Sequence, residues 1–475
     1  MSIPTFLIRR LVNQRDTAPH QPLIETVHAH IRFCYTGLCR RPAPRVPCHP
    51  MSMSHHNFPS LRQLRAFEAV ARLQSMSGAA REINLSQPGV TQSVEALERQ
   101  LKGKLLQRRR SGCYPTKLGA ILLPRVQCFF DHVRSALDEL IVSNPAMSRQ
   151  TLDMTHKITK PQIRSLLAIY ESESFDAAAR LLKLSQPSLH RSAKDLEREL
   201  RRSLYHRTAK GMTTNARGSE LARRIQVGLR EIHYGVEEMK AAQGNVVSRI
   251  AIGNIPHSDA QVMSAAIKEL LSAHPNAFVQ VVDGHYEALL NDLRAARLDL
   301  LWGTLRTPIW AHDVREEKLF QNPYVIVARR RHPLTRLKRI APSDLAQFDW
   351  ITPGPTTPRQ QALEQLFGGT SRTPRITVET TSLQLHRNLI ASSDRLALMS
   401  LFESRLNDPS IFATLPFQSS HLKRSDGVVR RADWRPTKIH LQFLDMLRTH
   451  ARRMSHTDLK LVVSNTASRQ RTAVG

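Results

Sequence analysis

Two clusters of side chains have the residue types and spacing to read a duplex nucleic acid. Gln87, Pro88, Thr91 and Gln92 follow Ser86, and Gln186, Pro187, His190, Arg191 and Lys194 follow Ser185. On a helix, residues three and four apart share a face, so each cluster projects together. Amides and hydroxyls pair with base edges, and arginine can bridge guanine O6 and N7. Cations come next: Arg108, Arg109 and Arg110 after the first cluster, Arg207 and Lys210 after the second. Beside a groove such charges would hold phosphates. The competing reading makes both faces solvated sides of a packing bundle.

Catalytic chemistry has little footing. The chain carries no Gly-x-Ser-x-Gly elbow, phosphate-cradling glycine loop or His-Glu-x-x-His stretch. Cys34, Cys39, Cys48, His28 and His30 match no zinc-module spacing, so no metal, no cofactor and no enzymatic activity are expected. Cys113 and Cys128 could sense oxidants, although free cysteines are more often inert.

Composition narrows the partner. Against 40 acidic residues stand 69 lysines and arginines, a formal charge of +29 over 475 residues, which favours a polyanion, nucleic acid before membrane surface. With 41% hydrophobic residues the chain is no disordered polycation. Apolar runs such as 166–170 are too short to span a bilayer. Five cysteines, an odd number, form no disulfide framework and suit a reducing cytoplasm. The opening Ile3 to Ile8 is broken by Arg9 and Arg10 and lacks a small-residue cleavage site, arguing against a secretory signal.

An internal repeat organises the elements. At an offset of 99 positions, Ala79-Ala80-Arg81 falls on Ala178-Ala179-Arg180, Leu85 to Pro88 on Leu184 to Pro187, Leu97-Glu98-Arg99 on Leu196-Glu197-Arg198, and Gly119 on Gly218. In the first copy Leu64, Phe67, Val70 and Leu73 predict a helix over 61–73. Ser77 is expected to cap a second helix over 78–84, and Ser86 a third with Pro88 in its first turn. Val90, Val94, Leu97 and Leu101 then face inward, as do Leu189, Ala193, Leu196 and Leu200 in the second copy. Three helices with a short turn before a capped third describe a helix-turn-helix. Thr116 and Asn215 are placed to cap the long helices that follow. Leu122, Val126, Phe129, Val133, Ala136 and Leu140 make the seam of the first, and Ile225, Leu229, Ile232, Val236 and Met239 that of the second, despite Gly228 and Gly235.

These residues resemble the LysR-type transcriptional regulators, with their winged helix-turn-helix, Ser-Gln-Pro turn, linker helix and effector-binding domain. The resemblance covers residues 57 to about 454. It implies that Gln87, Pro88, Thr91 and Gln92, then Gln186, Pro187, His190 and Arg191, contact DNA. The family ordinarily carries one DNA-binding unit, whereas this chain carries two. Family dimers pair their linker helices antiparallel, so two linkers in one chain could pair with each other.

From Ser248 onward strands and helices alternate. Strands are expected at 249–253, 277–283, 299–303, 324–328, 376–379 and 396–399, and helices at 259–274 and 286–297, giving a mostly parallel sheet. By resemblance this is a two-lobed module similar to periplasmic solute-binding proteins. Ligands of such sheets sit beyond the carboxyl ends of strands, near helix amino termini. His257, Ser258, Thr304, Thr356, Thr357, Thr381 and Ser382 lie in those loops and as a cluster could bind an anionic or sugar-like effector; singly, each is more often a simple helix cap.

The expected organisation is a multidomain chain: an extension over 1–56, disordered or from a mis-assigned start near Met51 or Met53; winged helix-turn-helix units over 57–116 and 157–215; linker helices over 117–142 and 216–243; a connector over 143–156; an α/β effector-binding domain over 248–454; and a disordered tail over 455–475. The function expected is a ligand-responsive, cytoplasmic, homo-oligomeric regulator of double-stranded DNA with no membrane contact. An α/β solute-binding protein or enzyme whose helical half only oligomerises is the alternative.

Overall fold

The computed structural model describes residues 58–141, 157–209, 211–244, 248–256, 258–306, 312–355, 357–368 and 373–471. The extension 1–56, with its cysteines and histidines, the connector 143–156, and Lys210, His257 and Thr356 lie outside the described residues.

The first copy comprises α1 (Leu61–Leu73), α2 (Met76–Glu82), α3 (Gln87–Leu101), strands β1 (Leu106–Arg109) and β2 (Gly112–Pro115), and α4 (Lys117–Ile141). Ser60 opens α1 with reciprocal bonds: Gln63 N donates to its hydroxyl, and its own N–H donates to Gln63 Oε1 at 2.7 Å. The cap of α2 is Ser75, not Ser77. Gly78 N donates to Ser75 Oγ at 3.0 Å, whereas Ser77 already lies in the first turn. Ser86 caps α3 and Thr116 caps α4, as the sequence predicts.

The second copy repeats this as α5 (Lys160–Ser172), α6 (Phe175–Leu182), α7 (Gln186–Leu200), β3 (Tyr205–Thr208), β4 (Gly211–Thr214) and α8 (Ala216–Ala242). The scaffold detail repeats too. Glu98 Oε1 accepts from the amides of Leu105 and Leu106, and Glu197 Oε1 from those of Leu204 and Tyr205.

Helices α4 and α8 pack antiparallel within the one chain. A β-carbon on Gly228 would stand 2.9 Å from the Phe129 ring, and one on Gly235 would stand 2.9 Å from Leu122 Cδ1. Climbing one helix thus descends the other. The two glycines that weaken α8 as an isolated helix are where α4 side chains lie against its backbone. Leu122, Val126, Phe129 and Val133 have no exposed surface, and burying each contributes about 1.5–3 kcal/mol before ordering entropy is set against it. Leu140, the last residue of the first seam, and Val236, the last but one of the second, are only half-buried. Each linker ends against the other copy: Arg202 Nε donates to Leu140 O at 3.1 Å, and Gln243 Nε2 to Lys102 O at 3.4 Å.

The carboxyl-terminal region forms two mixed five-stranded sheets, not one mostly parallel sheet. The first lobe holds β5 (Arg249–Asn254), α9 (Ala260–Ala273), β6 (Phe278–Asp283), α10 (Tyr286–Arg294), β7 (Leu300–Thr304) and β8 (Val314–Gln321), joined by β14 (Ser425–Arg431) and α15 (Lys438–Arg471). Its strand order is β6-β5-β7-β14-β8, with β14 antiparallel to both neighbours. The second lobe holds β9 (Tyr324–Arg329), α11 (Pro342–Leu345), β10 (Trp350–Thr352), α12 (Pro358–Phe367), β11 (Ile376–Glu379), α13 (Leu383–Ala391), β12 (Leu396–Ser400), α14 (Leu401–Arg405) and β13 (Phe412–Thr414), in the order β11-β10-β12-β9-β13. There β9 is antiparallel to β12 and β13. Sequence periodicity hid β8 because Val-Arg-Glu-Glu-Lys has no apolar alternation. Where a disordered tail was expected after Met454, α15 continues to Arg471; no glycine or proline interrupts 438–471.

Linker and first lobe meet at a buried charge cluster. Arg230 Nη2 donates to Asp299 Oδ1 at 3.1 Å, Tyr234 Oη donates to the same carboxylate, and Ala251 N donates to Asp299 Oδ2 at 2.7 Å. His440 Nε2 lies 3.3 Å from Asp299 Oδ2. Burial alone would raise this carboxyl; Arg230, His440 and Tyr234 outweigh it and hold Asp299 far below the usual carboxylate range.

Candidate functional site

In both copies the third helix buries one side and exposes the other. Val90, Val94 and Leu97 are buried in α3, and Leu189, Ala193, Leu196 and Leu200 in α7. Gln87, Pro88 and Gln92 are exposed and Thr91 half-buried; Gln186, Pro187, His190, Arg191 and Lys194 are exposed. Thr91 Oγ1 donates back to Gln87 O at 3.2 Å, while Arg108 Nη2 reaches Thr91 Oγ1 at 3.5 Å, linking wing to helix. Arg108, Arg109 and Arg110 are exposed on the β1–β2 wing, and Arg207 on the β3–β4 wing.

Four contacts in the second copy escape sequence reasoning. Gln186 Nε2 donates to Asp176 Oδ1 at 2.8 Å. The His190 ring lies against Phe175, centroids 4.7 Å apart, and Phe175 meets Tyr205 edge-on. Lys194 Nζ stands 3.5 Å from Glu197. Arg191 thereby becomes the most available cation at the front of α7.

A second candidate site lies between the two sheets, where a cavity of about 150 Å³ gathers Thr304 at the end of β7, Thr357 at the start of α12, and Thr381. The remaining described hydroxyls serve their own turns: Ser258 Oγ donates to Ile255 O, and Ser382 Oγ accepts from Leu385 N as the α13 cap. Thr357 does both, capping α12 through Gln360 N and lining the cavity.

The cavity's strongest groups were not foreseen. Arg306, Arg359 and Arg424 line it with Tyr286 and Tyr324. Arg306 stacks 3.9 Å over Tyr286, and Arg424 stands 5.0 Å from the Tyr324 centroid. Arg359, 4% exposed, donates through Nη2 to Glu403 at 2.6 Å, while its buried Nη1 has no hydrogen-bond partner among the described residues. A wider cavity of about 770 Å³ shares Thr304, Arg306, Tyr324 and Arg424. The lobes join beside it, where Asn322 Nδ2 donates to Asp426 Oδ2 at 2.7 Å and Asn322 N to Arg424 O at 3.1 Å. A Thr-Pro-Arg stretch carries no recognisable signal; only folding brings residues 306, 359 and 424 together.

Both candidate cysteines are buried, Cys113 at 3% and Cys128 at 4% exposure. Burial pushes the Cys128 thiol up to about 11, with the Glu231 carboxylate adding to it, and raises Cys113 as well. Both are thus kept as thiols, a poor starting point for oxidant sensing. No described helix is long and apolar enough to cross a membrane.

The profile of the bacterial regulatory helix-turn-helix protein, lysR family, matches twice, at 61–120 and 161–219, and that of the LysR substrate binding domain matches 243–452. The HTH-type transcriptional regulator GalR of Pseudomonas putida is 27% identical over 376 residues, covering 79% of this chain and 93% of its own. That is more than the second copy and the carboxyl-terminal region together contain, so the match includes part of the first copy. The regulator PcaQ of Agrobacterium fabrum is 24% identical over 279 residues, 58% of this chain and 89% of its own. Among solved structures, a full-length OxyR variant from Pseudomonas aeruginosa aligns with a TM-score of 0.47 at 20% identity, over 62% of this chain and 94% of that one. The chain belongs to the LysR-type transcriptional regulators, ligand-responsive proteins that join a DNA-binding helix-turn-helix to a substrate-binding domain.

Proposed function

We propose that both helix-turn-helix copies grip DNA, each laying the exposed face of α3 or α7 in a major groove with its wing on the phosphates, while a small molecule in the inter-lobe cleft alters how the linkers and effector domains assemble. One observation carries this reading: in each copy the apolar side of the third helix is in the core while Gln87 and Gln92, or Gln186 and Arg191, face outward. The antiparallel pairing of α4 with α8 supports it further, since one chain then supplies the paired linkers for which the family ordinarily uses two chains. Cytoplasmic location and further assembly of chains fit this reading.

The cleft suits an anion better than a neutral sugar. The amino terminus of α12 and the Nη1 of Arg359, unpartnered among the described residues, favour negative charge there, while the arginines otherwise face carboxylates already: Arg306 faces Glu287, which itself lines the cavity, Arg424 faces Asp426 and Arg359 faces Glu403. Gel-shift titration of Gln87→Ala and Arg191→Ala proteins tests the DNA part: operator binding should fall while the fold persists. Wild-type affinity should drop steeply with added salt as phosphate contacts release counterions. Unchanged binding by both variants, or salt-insensitive affinity, would remove the claim.

A further inference from the structure

We infer that one chain reads an asymmetric DNA site: a half built around guanine under α7, and a half read by amides, favouring adenine, under α3. This rests on the proposal that both copies contact DNA. The scaffold of the two copies is the same in its cap positions, in the Glu98 and Glu197 brackets and in helix starts set 99 positions apart. The reading surface is not. Thr91 corresponds to His190, Gln92 to Arg191, and Glu95 to Lys194. The front of α3 therefore offers neutral amides and then a carboxylate, whereas α7 offers two cations.

The wings are skewed in the opposite sense. Arg108, Arg109 and Arg110 are consecutive on the first wing, while the matching positions of the second are Arg207, Thr208 and Ala209. Positive charge is thus weighted toward the phosphate-facing wing in copy one, three arginines against Arg207 and Lys210, and toward the base-facing helix in copy two. Arg bridges guanine O6 and N7, whereas Gln matches adenine N6 and N7. In copy two Gln186 is held by Asp176 and His190 lies on Phe175, leaving Arg191 to read. In copy one the position equivalent to Asp176 is Ser77, which offers no carboxylate to hold Gln87.

Intramolecular pairing fixes the geometry. With each linker ending against the other copy, the carboxyl ends of α3 and α7 stand about the length of α4 apart, roughly 37 Å for its 25 residues at about 1.5 Å each. That is close to one turn of duplex, so the half-sites should be centred roughly 10–11 base pairs apart. Two identical heads would demand an inverted repeat; these two do not.

The experiment is selection of binding sites from random duplexes with the full-length protein, followed by affinity measurement on three duplexes: the selected site and the two inverted repeats built from each half. The selected site should bind at least tenfold tighter than either repeat. Arg191→Gln should relax preference only in the guanine-containing half, and Gln87→Ala only in the other, with circular dichroism verifying that both variants fold. A selected site that is itself an inverted repeat, or an Arg191→Gln effect equal in both halves, would overturn the inference while leaving DNA reading intact. Binding with no sequence preference would overturn the underlying proposal instead.

Discussion

Gly119 and Leu105 are in such close contact that a β-carbon on the glycine would stand 2.0 Å from the Leu105 carbonyl oxygen; 99 positions later Gly218 meets Leu204 in the same way at 2.1 Å. Here the obstacle is backbone, which cannot swing aside. Gly119→Ala and Gly218→Ala should each cost about 1–3 kcal/mol by forcing the linker off its own wing. Gly235→Ala should cost less, because its nearest neighbour is the flexible tip of Leu122 and alanine gains about 1 kcal/mol of helix propensity. Urea midpoints of the three variants check the ranking, and an unshifted Gly119→Ala midpoint would refute it.

Arg125 of α4 clamps α8 and the effector region together. It donates to Glu231 at 2.6 Å, to Glu238 at 2.8 Å and to the carbonyl of Arg435 at 2.8 Å. Arg125→Leu strands Glu231, 1% exposed, without its partner, and should cost about 3–5 kcal/mol; replacing both residues by leucine should recover much of that. Burial already raises the Glu231 carboxyl above its usual value despite Arg125. Removing the arginine raises it further, so the variant's stability should be best preserved near pH 4.5 and fall as pH rises through the elevated folded value. Thermal unfolding at pH 5 and pH 8 reads this directly.

Asp299 predicts the opposite slope. Its folded carboxyl is depressed, so its stabilisation is present above the ordinary carboxylate value and disappears only as acid drives it through the folded value. Asp299→Asn should therefore be most destabilising at neutral pH, with the gap from wild type narrowing in strong acid. A gap constant from pH 7 downward through the acid transition would contradict the ion-pair account.

For the cysteines, slow modification is expected. A thiol-specific reagent at pH 7.5 should label Cys113 and Cys128 in the folded protein far more slowly than after urea unfolding, because both are buried and protonated. Rapid labelling of Cys128 in folded protein would reopen a redox role.

The heads were legible because their determinants are local. Serine caps, a proline in the first turn and apolar residues three and four apart are sequence-adjacent, and α1, α3 and the linkers fall where those signals set them. Only the α2 cap was misplaced, between two serines two residues apart. The glycines illustrate what local reading misses: Gly228 and Gly235 lower helix propensity, and only a partner helix reveals them as contact points. Mixed sheets escaped because β8 is polar and β14 crosses back from the far end of the module. Strand ends point to loops from which Thr304, Thr357 and Thr381 line one cavity, whereas the arginines that line it come from three separate segments.

Because α4 finds its partner in the same polypeptide, the coupled heads cannot separate on dilution. Effective concentration replaces protein abundance, and site occupancy at low copy number loses the penalty of first assembling a pair. On the proposed reading, in which both heads contact DNA, the arithmetic of control changes with it: each substrate-binding domain answers for two heads rather than one.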